Sequence, residues 1–124
     1  MLSESPVSAV VPCMDVDRAK KFYTQTLGLK IAQDYEDQGA LFACGNGTAI
    51  MVYLTQAKGG EATAAAWKVD DLTAVMNDLK NKGVVFEEYD LPGLKTVDGV
   101  AEMGDMKGAW FKDPDGNLLN IVNM

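Results

Sequence analysis

The chain contains no histidine, and that single absence removes whole mechanisms. Without imidazole there is no Ser-His-Asp triad, no Cys-His pair and no HExxH zinc site. A metal would have to be held by carboxylates, amides, hydroxyls or two thiols. Arg18 is the only arginine, so no arginine-based phosphate clamp can be built. Cys13 and Cys44 share no CxxC spacing and fit two reduced thiols in or near the core of a cytoplasmic protein. No stretch approaches the roughly 20 apolar residues of a membrane span. The first residues, MLSESPVSAVV, lack the basic region of a signal peptide. Eighteen acids against 11 bases give a net charge of −7, which argues against nucleic acid and anionic membrane as partners. What remains is an ordinary globular composition, 48% hydrophobic and 23% charged over 124 residues.

The positive signal is an internal repeat. Met14-Asp15-Val16-Asp17-Arg18-Ala19 leads into an amphipathic run ending at Gly28. Val69-Asp70-Asp71-Leu72-Thr73-Ala74 leads into another ending at Gly83. Asp15 matches Asp70, Ala19 matches Ala74 and Gly28 matches Gly83, all 55 residues apart. Both runs predict helices with an aspartate at the start and a glycine past the end. Val16, Ala19, Phe22, Tyr23 and Leu27 form one stripe, and Leu72, Val75, Met76 and Leu79 the other. Strand-like runs flank them: 7–11, 29–35, 40–44 and 48–54 in the first copy, and 63–69, 84–89, 108–112 and 118–122 in the second. Gly45-Asn46-Gly47 and Asp113-Pro114-Asp115-Gly116-Asn117 supply the closing turns. The chain is therefore an α+β fold, βαβββ written twice, with module 1 at about 6–55, module 2 at about 62–124 and Gln56–Glu61 as hinge. The second copy carries 14 extra residues. They fall in 91–106, which is expected to be an irregular loop and, at that length, a functional one.

Asp15-Val16-Asp17-Arg18-Ala19-Lys20-Lys21-Phe22-Tyr23 followed by Leu27-Gly28, and Trp110-Phe111-Lys112-Asp113-Pro114-Asp115-Gly116-Asn117, resemble the first-helix and closing-hairpin signatures of the vicinal oxygen chelate superfamily. That group includes glyoxalase I, bleomycin-resistance proteins, fosfomycin-resistance enzymes and extradiol dioxygenases. The resemblance spans essentially the whole chain. It implies two modules whose sheets curl into a cup open to solvent, and a homodimer. Strand parity agrees: Ala9, Val11, Ile50, Val52, Ala65, Trp67, Val69, Leu119 and Ile121 form an apolar face suited to packing under helices. The opposite face, with Ser8, Val10, Pro12, Ala49, Met51, Tyr53, Ala64, Ala66, Lys68, Leu118, Asn120 and Val122, is mixed and fits a cup wall.

In metal-using members of that family four strands contribute one ligand each, usually His, Gln or Glu. The matching positions here are Ser8, Met51, Ala64 (or Thr63, at a strict repeat offset) and Asn120. Neither hard nor borderline cations are held by such a set, so no metal and no cofactor are expected. The expected function is metal-independent binding or sequestration of a small organic ligand, planar or cationic, as the metal-free bleomycin-resistance branch does. Ser8, Met51, Tyr53, Trp110 and Asn120 are the candidate ligand-binding residues. An alternative is a lactoylglutathione lyase-type lyase or isomerase, or another enzyme on a small organic substrate, with a displaced or absent metal. In a metal-free enzyme Glu102 would be the general base. A third is a degenerate cup that serves as a dimer contact. Glu87, Glu88, Asp90, Asp98, Glu102 and Asp105 crowd the extra segment, either as a solvated face or as a lip that attracts cations.

Overall fold

The computed structural model describes residues 2–4, 6–57 and 60–123; of the hinge, 58 and 59 lie outside them, as does 124 at the end of module 2. The first half runs β1 (Ala9–Cys13), α1 (Val16–Lys21), β2 (Lys30–Asp34), β3 (Gly39–Ala43) and β4 (Ala49–Leu54). They form one sheet in the order β1-β4-β3-β2, with β1 parallel to β4 and the other pairs antiparallel. The second half runs β5 (Thr63–Lys68), α2 (Leu72–Asn81), β6 (Asp90–Leu91), β7 (Leu94–Val97), β8 (Val100–Met103), β9 (Met106–Lys112) and β10 (Leu118–Asn123). Its sheet has the order β5-β10-β9-β8-β7-β6, with β5 parallel to β10. Among the described residues no helix is long and apolar enough to cross a membrane.

The helices begin where side-chain caps allow. Asp15 accepts a hydrogen bond from the Arg18 N–H and Asp71 from the Ala74 N–H, each at 3.0 Å. The second cap is Asp71, one residue beyond the Asp70 that the repeat predicts. The first helical segment is therefore one residue longer between cap and terminal glycine. That residue is absorbed at 22–26, where the helix widens to a π turn and the Leu27 N–H reaches back to the Phe22 carbonyl at 3.0 Å. The same slip sets the strand register: Val10 lies opposite Met51, and Ala66 opposite Asn120. On β5 that register breaks at a bulge, with Thr63 opposite Leu118 and Ala65 opposite Leu119, so Thr63 and the bulged Ala64 share the place that answers to Ser8.

The extra residues are not an irregular loop. Phe86 bridges Phe111 as Ile31 pairs with Phe42 in the first half, so the expected strand 84–89 does begin. It then parts from β9 and runs through three hairpins, β6–β7, β7–β8 and β8–β9, which extend the same sheet. Their turns carry Gly93, Gly99 and Gly104 at φ of +80°, +81° and +63°. Pro92-Gly93 and Asp98-Gly99 are strong turn pairs, and Asp98 also has positive φ, as a type I′ turn requires. A Cβ on Gly99 would sit 3.1 Å from Phe86 and 3.2 Å from Met76, so this excursion is docked onto α2.

One core joins the halves. Val11, Ile50, Val52, Leu119 and Ile121 are buried beneath Ala19 and Tyr23 of the first helical segment and Met76 and Leu79 of α2. The fastener between halves is the turn 113–117. Asp113 is buried; its Oδ2 accepts from the Tyr23 hydroxyl at 2.9 Å and from Asn117 Nδ2 at 2.7 Å, and its Oδ1 from the Asp115 and Asn117 N–H groups, both at 2.9 Å. Asn117 Nδ2 also donates to the Pro12 carbonyl at 2.8 Å. Asp115 Oδ1 accepts from the Met14 N–H at 2.8 Å and from Arg18 at 3.0 Å.

This junction fixes how the protein responds to alkali. Burial first, and then the charge of Asp113, push the Tyr23 phenol far above its usual value. Burial and then Asp115, Asp113 and Asp15 push the Cys13 thiol up to about 11. Both groups keep their protons in the folded state while the unfolded chain releases them from about pH 9–10, so unfolding is favoured as pH rises through that range. Each group contributes a loss of at most about 1.4 kcal/mol per pH unit. Urea midpoints are expected to fall between pH 8 and 10.5. Tyr23→Phe is expected to flatten the slope above pH 10, and an unchanged slope would show that Tyr23 is not the titrating group.

Candidate functional site

The faces turned away from the helices meet where β1 and β5 run beside each other. In the first half this face carries the row Val10–Met51–Leu41 and the row Pro12–Tyr53–Gly39. Met51 is half-buried, and Val10 and Tyr53 stay 59% and 38% exposed, a largely apolar wall left open among the described residues. Ser8 precedes β1, exposed at the edge of this wall.

The second half contributes the row Ala66–Asn120–Trp110. Asn120 is 8% exposed, and its Nδ2 donates to the carbonyls of Ala109 at 3.0 Å and Ile121 at 3.4 Å. Carbonyls only accept, so the amide is oriented and its own oxygen is the group left to meet a ligand. Gly108 makes this possible: a Cβ there would stand 3.3 Å from Asn120 Nδ2 and 3.4 Å from the Met103 methyl. Met103 therefore packs beside Asn120 on the same wall. Trp110 leans across β10, its Nε1 donating to Thr63 on β5 at 3.2 Å. Phe111, of opposite parity, is fully buried. Tyr89 meets Trp110 edge to face, ring centroids 5.9 Å apart at 79°.

Met51, Tyr53, Trp110 and Asn120 thus share the wall, with Ser8 at its rim. Glu102 does not join them. It pairs with Lys107, which lies opposite Asn123 in the row alternate to Trp110; its side chain is 72% exposed and 3.8 Å from the Lys107 ammonium. As a base in the cup it is misplaced by strand parity. Of the other acids in the segment, Glu87 pairs with Lys112 at 3.3 Å and Glu88 accepts from the Gly99 N–H, closing the β7–β8 turn. Tyr89 and Met103 belong to the wall although sequence reasoning passed over them. Their only signal was an aromatic just before the extra residues and a methionine within them.

The four positions implied for a metal are Ser8, Met51, Ala64 or Thr63, and Asn120. Ala64 has no donor, Met51 offers a soft thioether, Ser8 a neutral hydroxyl and Thr63 another that already accepts from Trp110, and the Asn120 nitrogen is spent on backbone carbonyls. This set does not fit the family's divalent cation, which needs anionic or imidazole donors.

The profile of the Glyoxalase/Bleomycin resistance protein/Dioxygenase superfamily matches residues 6–121. No curated protein sequence matches the chain. Among solved structures, a member of that superfamily from Sphaerobacter thermophilus DSM 20745 is 23% identical, with 100% of each chain covered and a TM-score of 0.74. TnmS3, an antibiotic binding protein from Streptomyces sp. CB03234, is 22% identical, with 97% of each chain covered and a TM-score of 0.64. Lactoylglutathione lyase from Agrobacterium tumefaciens is 16% identical, covering 97% of this chain and 93% of that one, with a TM-score of 0.70.

Proposed function

Since the chain belongs to the glyoxalase/bleomycin resistance protein/dioxygenase superfamily, we propose that its paired sheet faces hold a small organic molecule without the help of a metal. The observation that carries this reading is the donor set at the four cup positions, where neutral groups, an amide-locked Asn120 among them, stand in place of ion ligands. The wall suits a flat ligand. Trp110 and Tyr53 supply aromatic surface, Met51 a polarizable contact, and Asn120 and Ser8 hydrogen-bonding groups that orient the molecule. That TnmS3 is described as an antibiotic binding protein supports sequestration as the role, and the exposed β2 edge supports assembly as a homodimer.

The test joins metal analysis to thermal shift. Purified protein is expected to hold no stoichiometric zinc, nickel, manganese or iron and to gain Tm with planar organic compounds. Ligand at 100 times Kd stabilises the folded state by about 2.7 kcal/mol. Trp110→Ala is expected to abolish that gain while leaving the Tm of the free protein within a few degrees. One equivalent of bound metal with lyase activity on a hemithioacetal would replace sequestration by catalysis.

A further inference from the structure

We propose that the β6–β8 excursion is the specificity element of the cup: Tyr89, held in place by Thr96, makes with Trp110 an aromatic corner that selects planar cations over planar anions. This rests on the reading of the cup as the ligand site and adds which charge it accepts and which residues decide.

Three observations converge. The rings of Tyr89 and Trp110 stand perpendicular at 5.9 Å, and such a corner presents negative π faces from two directions to a cation placed against it. Tyr89 is not left to choose its own position. Thr96 on β7 is buried; its Oγ1 accepts from the Tyr89 N–H at 2.8 Å and donates to the Tyr89 carbonyl at 3.4 Å, and its own N–H donates to that carbonyl at 2.9 Å. β7 exists only because of the extra residues, so the excursion itself sets the ring. The same stretch, 84–106, carries six of the chain's 18 acids against one lysine, Lys95; Lys112 and Lys107 pair with Glu87 and Glu102, and the segment that frames the corner stays net negative. Its field favours an approaching cation and opposes an anion.

Thr96 is a positioning residue; Tyr89 and Trp110 are the contacts. The experiment titrates full-length protein at pH 7 with proflavine, a planar cation, and anthracene-2-carboxylate, a planar anion. Wild type is expected to prefer the cation by about tenfold or more, in line with a desolvated cation–π contact joined to the acidic field. Tyr89→Leu and Thr96→Val are each expected to cut that preference about fivefold. Tyr89→Phe, which keeps the ring, and Thr96→Ser, which keeps the hydroxyl, are expected to retain it. Urea midpoints confirm that each variant is folded.

If Trp110→Ala abolishes binding while Tyr89→Leu and Thr96→Val leave the preference intact, the corner is overturned and the cup stands. A Thr96→Ser protein as impaired as Thr96→Val would also overturn the role of the hydroxyl. If wild type binds neither probe, or Trp110→Ala changes nothing, the cup and the corner fall together.

Discussion

Asp113→Ala is expected to lower the unfolding free energy by about 3–5 kcal/mol, near the top of what one substitution removes. The carboxylate receives four hydrogen bonds, from the Tyr23 hydroxyl, Asn117 Nδ2 and the Asp115 and Asn117 N–H groups. Tyr23 is 0% and Asn117 1% exposed, so no water replaces the lost acceptor, and each stranded donor carries its full desolvation cost. The loss also unties the first helical segment from the closing turn of the second half. Asp115 provides the control within the same turn. Its Oδ1 accepts from Met14 and Arg18, but its Oδ2 is buried and has no hydrogen-bond partner among the described residues. Removing a carboxylate that is already half unsatisfied relieves as well as costs, so Asp115→Ala is expected to lose about 1 kcal/mol or less. Urea denaturation of both variants at pH 7 checks the contrast. Equal losses would show that the junction does not depend on Asp113.

The same turn shows what a sequence reveals and what it hides. Asp-Pro-Asp-Gly-Asn declares a turn through its local dihedral preferences, and a turn it is, with Gly116 at φ +83°. That Asp113 would be buried against Tyr23, 90 residues earlier, depends on how the halves dock, and no local pattern carries it. The repeat, the caps and the strand parity were legible because each is enforced within a few residues. Parity alone separated Trp110 from Phe111. The one-residue slip between the copies was hidden because a π turn costs little and leaves the amphipathic stripe intact. The hairpins of the excursion were legible in principle. Pro92-Gly93, Asp98-Gly99 and Gly104-Asp105 mark three turns, but the strands between them have only four residues, too few for alternation to stand out. Tyr89 is fixed in place through Thr96, seven positions away on a neighbouring strand, and no local pattern carries that. Glu102 was misjudged for the matching reason: an acid on a segment presumed loose had no face, and once that segment is a sheet, parity assigns it one.

Gly39→Ala is the other substitution expected to be severe, and it links the fold to the ligand wall. Gly39 opens β3 at φ +137°, where L residues are strained. It lies opposite Tyr53 on β4. A Cβ there would stand 2.1 Å from the Val52 carbonyl oxygen and 2.8 Å from the Tyr53 Cα. Both are backbone atoms of a central strand and cannot swing aside as a side chain could. Either β3 or β4 must shift, and β4 is anchored through Ile50 and Val52, each at most 2% exposed. Strain and steric overlap together are expected to cost about 3 kcal/mol or more. If the variant still folds, the strand that gives way is β3, which lines the wall beside Met51 through Leu41, so binding of a planar ligand is expected to weaken even though no ligand-contacting side chain has changed. Calorimetry and ligand titration on the same preparation separate the two effects. A protein that loses stability yet binds as wild type would mean that the first half's wall takes no part in recognition, and that Trp110 and its neighbours hold the ligand alone.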